Sequence, residues 1–152
     1  FSDKQEDAKF EKSLAATLMP GCELHEFRDF VSTRIRSYFS VDQWLEDSAK
    51  FDFSTGLRLH GNMVAWQAGT PALWITHDAR TQELVDTMAL PTLSAQKFVE
   101  ECSSVCHARE RIDFDGSAYA NRRAVLGRAF LSVLKAHDIA ENQEFSLWQS
   151  RK

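Results

Sequence analysis

The chain has 152 residues, of which 43% are hydrophobic and 26% are charged, so a packed core is expected and an intrinsically disordered chain is excluded. Its formal net charge of −4 argues against a nucleic-acid-binding protein, because such proteins usually carry a basic face that neutralises phosphates. No apolar run approaches the ~20 residues that a membrane-spanning helix needs.

The first 40 residues are expected to be mainly helical. Phe10, Leu14 and Leu18 follow a four-residue stride that is typical of a helix, and Pro20-Gly21 should end it. Residues 34–39 alternate weakly between polar and apolar side chains, which favours a short strand.

The next helix has a recognisable start. Ser40 and Gln43 have the spacing of a capping box, and Phe39 and Trp44 have the spacing of a hydrophobic staple. These signals predict a helix from Ser40 to about Lys50.

The middle of the chain alternates between strands and helices. Strands are predicted at residues 51–55 and 72–76, with helices at 61–68 and from Asp78 to just before Pro91. This order indicates a parallel sheet with helices on its faces. Because ligands bind beyond the carboxyl ends of such strands, the turns after the two strands are the expected site.

Two more helices are predicted towards the carboxyl end, at residues 94–108 and 117–136. The inner face of the second is expected to carry apolar side chains, namely Leu126, Ala129, Phe130, Val133 and Leu134. Residues 1–140 are therefore predicted to form a single α/β domain, and residues 141–152 a polar tail.

The three cysteines, Cys22, Cys102 and Cys106, are too few and too scattered for a disulfide framework. A reducing compartment is the simpler interpretation, and we expect a cytoplasmic protein. Cys102 and Cys106 have helical spacing, but a structural zinc site takes four ligands and no second pair of ligands accompanies them. A buried thiol is the expected role of Cys102, and no metal site is predicted.

The turn after the first predicted strand combines groups that suit a small anion. A helix start offers free backbone N–H groups and a partial positive charge. Arg58 adds a permanent cation with a planar fork, His60 can give or take a proton, and Gly61 allows close approach to the backbone. The second turn repeats this arrangement, with Asp78 as a predicted N-cap and Arg80 near the helix start. Arginine and histidine near a turn are also common as surface or capping residues, so these residues alone leave both interpretations open.

Taken together, these segments resemble the polysaccharide pyruvyl transferase family over about residues 39–91. The family pattern is an Arg-x-His-Gly turn, a helix ending in Ala-Gly-x-Pro, an apolar strand and an Asp-x-Arg-x-x-Glu-Leu segment. The matching segments are Trp44-Leu45, Phe51-Asp52-Phe53, Gly56-Leu57-Arg58-Leu59-His60-Gly61-Asn62-Met63, Ala68-Gly69-Thr70-Pro71-Ala72 and His77-Asp78-Ala79-Arg80-Thr81-Gln82-Glu83-Leu84.

The resemblance implies a reaction and a set of site residues. Members of the family transfer a pyruvyl group from phosphoenolpyruvate to hydroxyls of a saccharide or polysaccharide acceptor, leave a pyruvate ketal, and need no cofactor beyond this donor. By this resemblance His60 and Arg58 are the catalytic candidates. The expected substrate-binding residues are Leu59, Gly61, Asn62, Asp78 and Arg80.

The resemblance also implies a fold and its missing partner. The expected architecture is a Rossmann-like, three-layer α/β domain with a parallel sheet, similar to the carboxy-terminal half of a glycosyltransferase-B fold. Residues 1–38 are then expected to hold an inter-domain helix and the leading strand of that half. Since no candidate for the amino-terminal domain is visible, we expect this chain to supply half of the active site and to expose an apolar wall suited to self-association.

Two alternatives stay open. A His-Gly turn followed by Ala-Gly-x-Pro also occurs in nucleotide-sugar transferases of the glycosyltransferase-B type, although the Asp78-x-Arg80 segment favours pyruvyl transfer. A non-catalytic domain that binds an anion or a protein partner is the third hypothesis.

Overall fold

The computed structural model describes residues 2–140 and Asn142. The chain divides into two compact units, and the second begins at Ser40. The predicted polar tail lies outside the described residues, apart from Asn142.

The first unit contains two helices, α1 (Ser2–Leu18) and α2 (Leu24–Arg34). Gly21 lies in the turn between them with a φ of 85°, a left-handed conformation that glycine adopts without a Cβ penalty. Ala15 and Phe27 are the buried side chains of this unit. Arg28 donates two hydrogen bonds to the carboxylate of Glu11, each 2.7 Å long, which ties the helices together.

The strand predicted at residues 34–39 is not formed. Helix α2 continues to Arg34, and the backbone N–H of Ile35 still donates to the carbonyl of Val31. The backbone at Ile35 is extended, but residues 35–39 pair with no strand among the described residues. Weak alternation over six residues therefore marked an extended connection, since a strand also needs a partner for its backbone groups.

The second unit opens with α3 (Val41–Ser48), which begins where it was predicted but without the predicted capping interactions. Ser40 is the N-cap residue, but its side chain makes no capping hydrogen bond. Phe39 is fully exposed, so it forms no staple with Trp44. Helix α3 is instead tied in at its end, where the buried hydroxyl of Thr70 donates to the carbonyl of Ser48 at 2.8 Å.

Three parallel strands form the sheet of the second unit, in the order β1-β2-β3. They are β1 (Ser54–Gly56), β2 (Ala72–Thr76) and β3 (Thr92–Ser94). Helix α4 (Leu59–Gln67) connects β1 to β2, and α5 (Ala79–Met88) connects β2 to β3. The result is a mixed α/β fold with a small parallel sheet, consistent with a Rossmann-like arrangement.

The central strand β2 is buried along its whole length, as its apolar sequence predicts. Ala72 and Trp74 form a cluster with Val85 and Leu90. Side chains from α4, α5 and a later helix that begins at Ser117 pack against this cluster, namely Leu59, Met63, Trp66, Met88 and Tyr119. Because alternate residues of a strand share a face, α4 and α5 cover the face of the sheet that carries Ala72 and Trp74.

The chain after Pro91 departs most from the predictions. The predicted helix at 94–108 is instead the short strand β3 followed by α6 (Ala95–Glu101) and α7 (Val105–Arg111). Two serine caps drive this division. The hydroxyl of Ser94 accepts from Lys97 N at 3.2 Å to start α6, and that of Ser104 accepts from His107 N at 3.1 Å to start α7.

Helix α8 (Ser117–Ala136) is confirmed, but its predicted inner face is wrong. Leu126 is 39% exposed, and Phe130 and Val133 are each 53% exposed. The helix contacts α5. In its amino-terminal part, Tyr119 lies edge-on to Trp66 of α4, with ring centroids 5.7 Å apart.

Candidate functional site

The carboxyl ends of the three strands meet at one edge of the sheet. Gly56 lies opposite Trp74, and Thr76 lies opposite Ser94. At most two residues separate each strand from the helix that follows it, so the starts of α4, α5 and α6 lie along this edge. Neighbouring strands in a sheet are about 4.8 Å apart, which brings the three turns within reach of one small ligand.

The turn between β1 and α4 holds the two predicted catalytic residues. Arg58 is the N-cap residue of α4 and His60 belongs to its first turn; both side chains are exposed. Within the described part of the chain, neither side chain has a hydrogen bond or ion pair. The Arg58 side chain does not cap the helix, so the first backbone N–H groups of α4 stay available to an anion.

Asn62 lies one residue past Gly61 but faces the interior, with 3% of its surface exposed. Its amide nitrogen donates to the carbonyl oxygens of Gly56 at 3.0 Å and Leu73 at 3.1 Å. Its amide oxygen accepts from the hydroxyl of Ser54 at 2.9 Å. We therefore assign Asn62 the role of holding the turn in place, which corrects the prediction that it contacts the substrate.

Leu59 is anchored in the same way through its backbone. The indole N–H of the fully buried Trp74 donates to the Leu59 carbonyl oxygen at 3.2 Å. The Leu59 side chain packs on the core cluster. A ligand at this turn would thus meet the backbone N–H of Leu59, since its side chain belongs to the core.

Gly61 is not required by the fold. A Cβ at this position would meet no atom within 4 Å, and the backbone is ordinary helix. Glycine in a helix costs about 0.5–1 kcal/mol relative to alanine. The open space beside Gly61 is what close approach of a bound group needs.

The turn between β2 and α5 is closed by its own side chain. Asp78 is the N-cap of α5, as predicted, and accepts from Thr81 N at 2.7 Å. Hydrogen bonding from the side chain and backbone of Thr81 holds the pKa of Asp78 below its ordinary value, with smaller contributions from His77 and Arg80. Arg80 is exposed, and the ring nitrogen Nε2 of His77 lies 3.5 Å from the second oxygen of Asp78.

These two turns therefore differ electrostatically. The start of α4 has no capping side chain, whereas the start of α5 already holds a carboxylate. A negatively charged ligand is favoured at the first and repelled at the second. The chemistry of the site follows from this asymmetry, which the sequence did not predict.

An open cleft of about 410 Å³ lies between the second turn and the start of α6. Its lining includes residues that the sequence analysis missed, namely Thr76, Gln82, Ser94, Ala95 and Gln96. Ser94, Ala95 and Gln96 were missed because residues 92–94 were not recognised as a strand, so the third turn at this edge was not predicted. The sequence signal for this turn is Ser94, which stands three residues before Lys97, a spacing that fits the N-cap of a helix.

The remaining candidates contribute no further centre among the described residues. No group of three or more His, Cys, Asp or Glu side chains is placed to hold a metal ion there. The same part of the chain has no helix that is both long and apolar enough to span a bilayer. Trp66 packs on the sheet against Trp74, with ring centroids 6.0 Å apart.

No protein-family model matches this chain, and comparisons with curated proteins and with solved structures give no significant match. The class that the chain itself defines is an α/β protein with a parallel sheet. Its candidate site is the carboxyl edge of that sheet, where a helix start without a side-chain cap carries exposed Arg58 and His60.

Proposed function

We propose that this chain is the carboxy-terminal half of a polysaccharide pyruvyl transferase and that it binds phosphoenolpyruvate at the start of α4. The observation that carries the proposal is the combination of exposed Arg58 and His60 with a helix start that has no side-chain cap. The resemblance of residues 39–91 to that family selects the donor among small anions. The parallel sheet agrees with the proposed likeness to a glycosyltransferase-B half.

The charges of phosphoenolpyruvate suit this turn. Its carboxylate and phosphate need hydrogen-bond donors that carry positive charge, and the Arg58 guanidinium and the first N–H groups of α4 are such donors. The Asp78 carboxylate keeps these anionic groups away from the start of α5. Arg80 lies at the next strand–helix turn along the same edge of the sheet, and its positive charge adds to the electrostatic attraction of an anion.

In the proposed reaction, a proton is added to the methylene carbon of phosphoenolpyruvate, which makes its C2 cationic. A saccharide hydroxyl attacks C2 and loses its proton, and the C2–O bond to phosphate breaks. A second hydroxyl of the same sugar then attacks C2 and gives up its proton, so that inorganic phosphate, which takes up one of the two hydroxyl protons, and a cyclic ketal result. His60, exposed beside the anion site, is the proposed proton carrier in these steps.

The other wall of the site is proposed to come from an amino-terminal domain, so the chain by itself should bind the donor weakly. Nuclear magnetic resonance detects such binding residue by residue. The experiment is a titration of the ¹⁵N-labelled chain with phosphoenolpyruvate and, separately, with a nucleoside diphosphate sugar. We expect phosphoenolpyruvate to shift the amide signals of Leu59, His60 and Gly61.

A matched pair of variants makes this test specific. His60→Ala should weaken the shifts of Leu59 and Gly61, whereas His25→Ala, at an exposed histidine of the first unit, should leave them unchanged. A response to the nucleotide sugar alone would favour the glycosyltransferase alternative. If neither compound shifts these signals, the proposed pyruvyl transferase is overturned and the non-catalytic alternative is favoured.

A further inference from the structure

The cleft between β2 and β3 has a different chemistry from the start of α4. It opens between the β2–α5 turn and the beginning of α6, and its volume of about 410 Å³ falls within the range of small-molecule sites. It lies on the same sheet edge, one to two strands away from the start of α4, which is about 5–10 Å. A molecule in this cleft would therefore adjoin a donor held at Arg58 and His60.

The charge of the cleft argues against an anionic occupant. No lysine or arginine is among its lining residues, and its ionisable groups are the Asp78 carboxylate and the imidazole of His77, whose Nε2 lies 3.5 Å from that carboxylate. That carboxylate already accepts the hydrogen bond from Thr81 at the start of α5. A second anion would meet repulsion from Asp78, with no lysine or arginine in the lining to offset it.

Two lining side chains brace the cleft. The hydroxyl of Thr76, at the end of β2, donates to the amide oxygen of Gln82 at 2.8 Å. The amide nitrogen of Gln82 donates in turn to Asp86 at 2.9 Å. The Thr76 hydroxyl and the Gln82 amide are thus each held in one orientation. They shape the floor of the cleft and are not its ligand-binding groups.

The other polar groups of the lining keep unused capacity within the described part of the chain. Ser94 accepts from Lys97 N, which leaves its hydroxyl proton able to donate. Gln96 donates through its amide nitrogen to Glu100 at 2.9 Å, which leaves its amide oxygen able to accept. Asp78 uses one oxygen for Thr81, and its second oxygen faces His77 at 3.5 Å.

We infer that this cleft binds hydroxyl groups of a neutral saccharide, and that it is the acceptor subsite of the enzyme. A sugar hydroxyl is both a donor and an acceptor, which suits a lining that offers Ser94 as a donor and Gln96 and Asp78 as acceptors. The assignment of the sugar as acceptor rests on the proposed function, whereas the binding of a neutral polyol rests on the cleft itself. The anionic donor and the neutral acceptor then occupy different positions along one edge of the sheet, because the Asp78 carboxylate repels the anion from the cleft.

The experiment uses the ¹⁵N-labelled 152-residue chain and three neutral probes, the methyl glycosides of glucose, galactose and mannose. At least one of them is expected to shift the amide signals of Ala79, Ser94 and Gln96 and to leave those of Leu59 and Gly61 in place. Gln96→Ala should weaken this response about threefold to tenfold, as expected for the loss of one hydrogen bond. Gln43→Ala, an exposed glutamine of α3 outside the cleft, is the matched control and should leave the response unchanged.

The two proposals fail in different ways. If phosphoenolpyruvate shifts the α4 signals but none of the three glycosides shifts the cleft signals, the acceptor subsite is overturned and the proposed function stands. If a glycoside shifts the cleft signals and phosphoenolpyruvate shifts nothing, the cleft binds a neutral saccharide but the pyruvyl transferase is overturned. A glycoside response that Gln96→Ala leaves unchanged would place the sugar elsewhere and would also overturn the subsite.

Discussion

The side-chain amide of Asn62 donates a hydrogen bond of 3.1 Å to the carbonyl oxygen of Leu73, in the middle of the buried strand β2. The same nitrogen donates to Gly56, the last residue of β1. One side chain therefore connects the first turn of α4 to two strands. The exposed residues Arg58 and His60 of the same turn take their positions from this buried anchor.

Asn62→Ala should destabilise the second unit by about 2–3 kcal/mol, because it removes three hydrogen bonds at a buried position, those to the carbonyl oxygens of Gly56 and Leu73 and that from the Ser54 hydroxyl. The measurement is the free energy of unfolding from urea titration followed by circular dichroism. Asn121→Ala, at an exposed position of α8, is the control and should change stability by less than about 0.5 kcal/mol. Equal effects of the two substitutions would contradict the anchoring role of Asn62.

Trp74→Phe should lower stability by about 2 kcal/mol, because it removes the hydrogen bond to the Leu59 carbonyl and leaves space in a fully buried site. The substitution should also shift the amide signals of Leu59 and His60, which follow the position of that carbonyl. Trp66→Phe keeps the Trp74 hydrogen bond and serves as the comparison. The prediction is wrong if Trp66→Phe moves the α4 signals as much as Trp74→Phe does.

Gly61→Ala should separate stability from binding. We expect an increase of about 0.5–1 kcal/mol in the free energy of unfolding, because the new methyl group meets open space and alanine is the better helix former. The same methyl group should weaken the binding of phosphoenolpyruvate. Thr87→Ala, at an exposed position near the carboxyl end of α5, should also stabilise its helix but should leave the binding of phosphoenolpyruvate unchanged. Unaltered binding in Gly61→Ala would show that no ligand approaches this backbone.

Arg58→Ala should reduce phosphoenolpyruvate affinity about tenfold or more, because hydrogen bonds between charged groups contribute about 1.5–3 kcal/mol. Stability should change little, since the side chain is exposed and has no ion pair among the described residues. Arg122→Ala, an exposed arginine of α8, is the control for net charge. Titration calorimetry or amide shifts measure the affinity, and equal losses in both variants would indicate a general charge effect.

Asp78→Asn should lower the melting temperature of the second unit by a few degrees at pH 7, because it removes the negative charge that the amino-terminal end of α5 favours. The folded-state pKa of Asp78 lies below the ordinary aspartate value of about 3.9. Its contribution to stability is therefore complete above that value and is lost as the pH falls through the lower, folded-state pKa. The difference between wild type and Asp78→Asn should shrink when melting is measured at about pH 3 instead of pH 7. A difference that persists unchanged at low pH would contradict a role for the ionised carboxylate, and Asp52→Asn, at an exposed position outside the helices, is the control.

Local signals along the chain were sufficient for the central part of the fold. The apolar run Ala72–Thr76 predicted a buried strand, and it is buried at all five positions. Asp78 predicted a helix start, because an aspartate side chain can accept from a backbone N–H three residues on without help from the rest of the chain. The predicted strand near residue 51 formed slightly later, at Ser54–Gly56, since its pairing with β2 sets its limits.

Other predictions failed where a second segment decides the outcome. Residues 34–39 alternate but pair with no described strand, and Thr92–Ser94 is a strand only because β2 lies beside it. The apolar residues of α8 were expected to be buried, yet burial depends on a neighbouring surface that helical spacing cannot supply. The capping box at Ser40 had the right residues without the hydrogen bond.

The sequence alone thus determined which residues can carry the chemistry, because Arg58, His60 and Gly61 have their properties wherever they lie. The tertiary structure decided which of their neighbours share that role. Asn62 is turned inward by two carbonyl groups that no sequence pattern announces, and Ser94 and Gln96 reach the site through a strand that pairs with β2. The physical reason is that side-chain chemistry is local, whereas burial, strand pairing and the sharing of one sheet edge depend on segments that are distant in sequence.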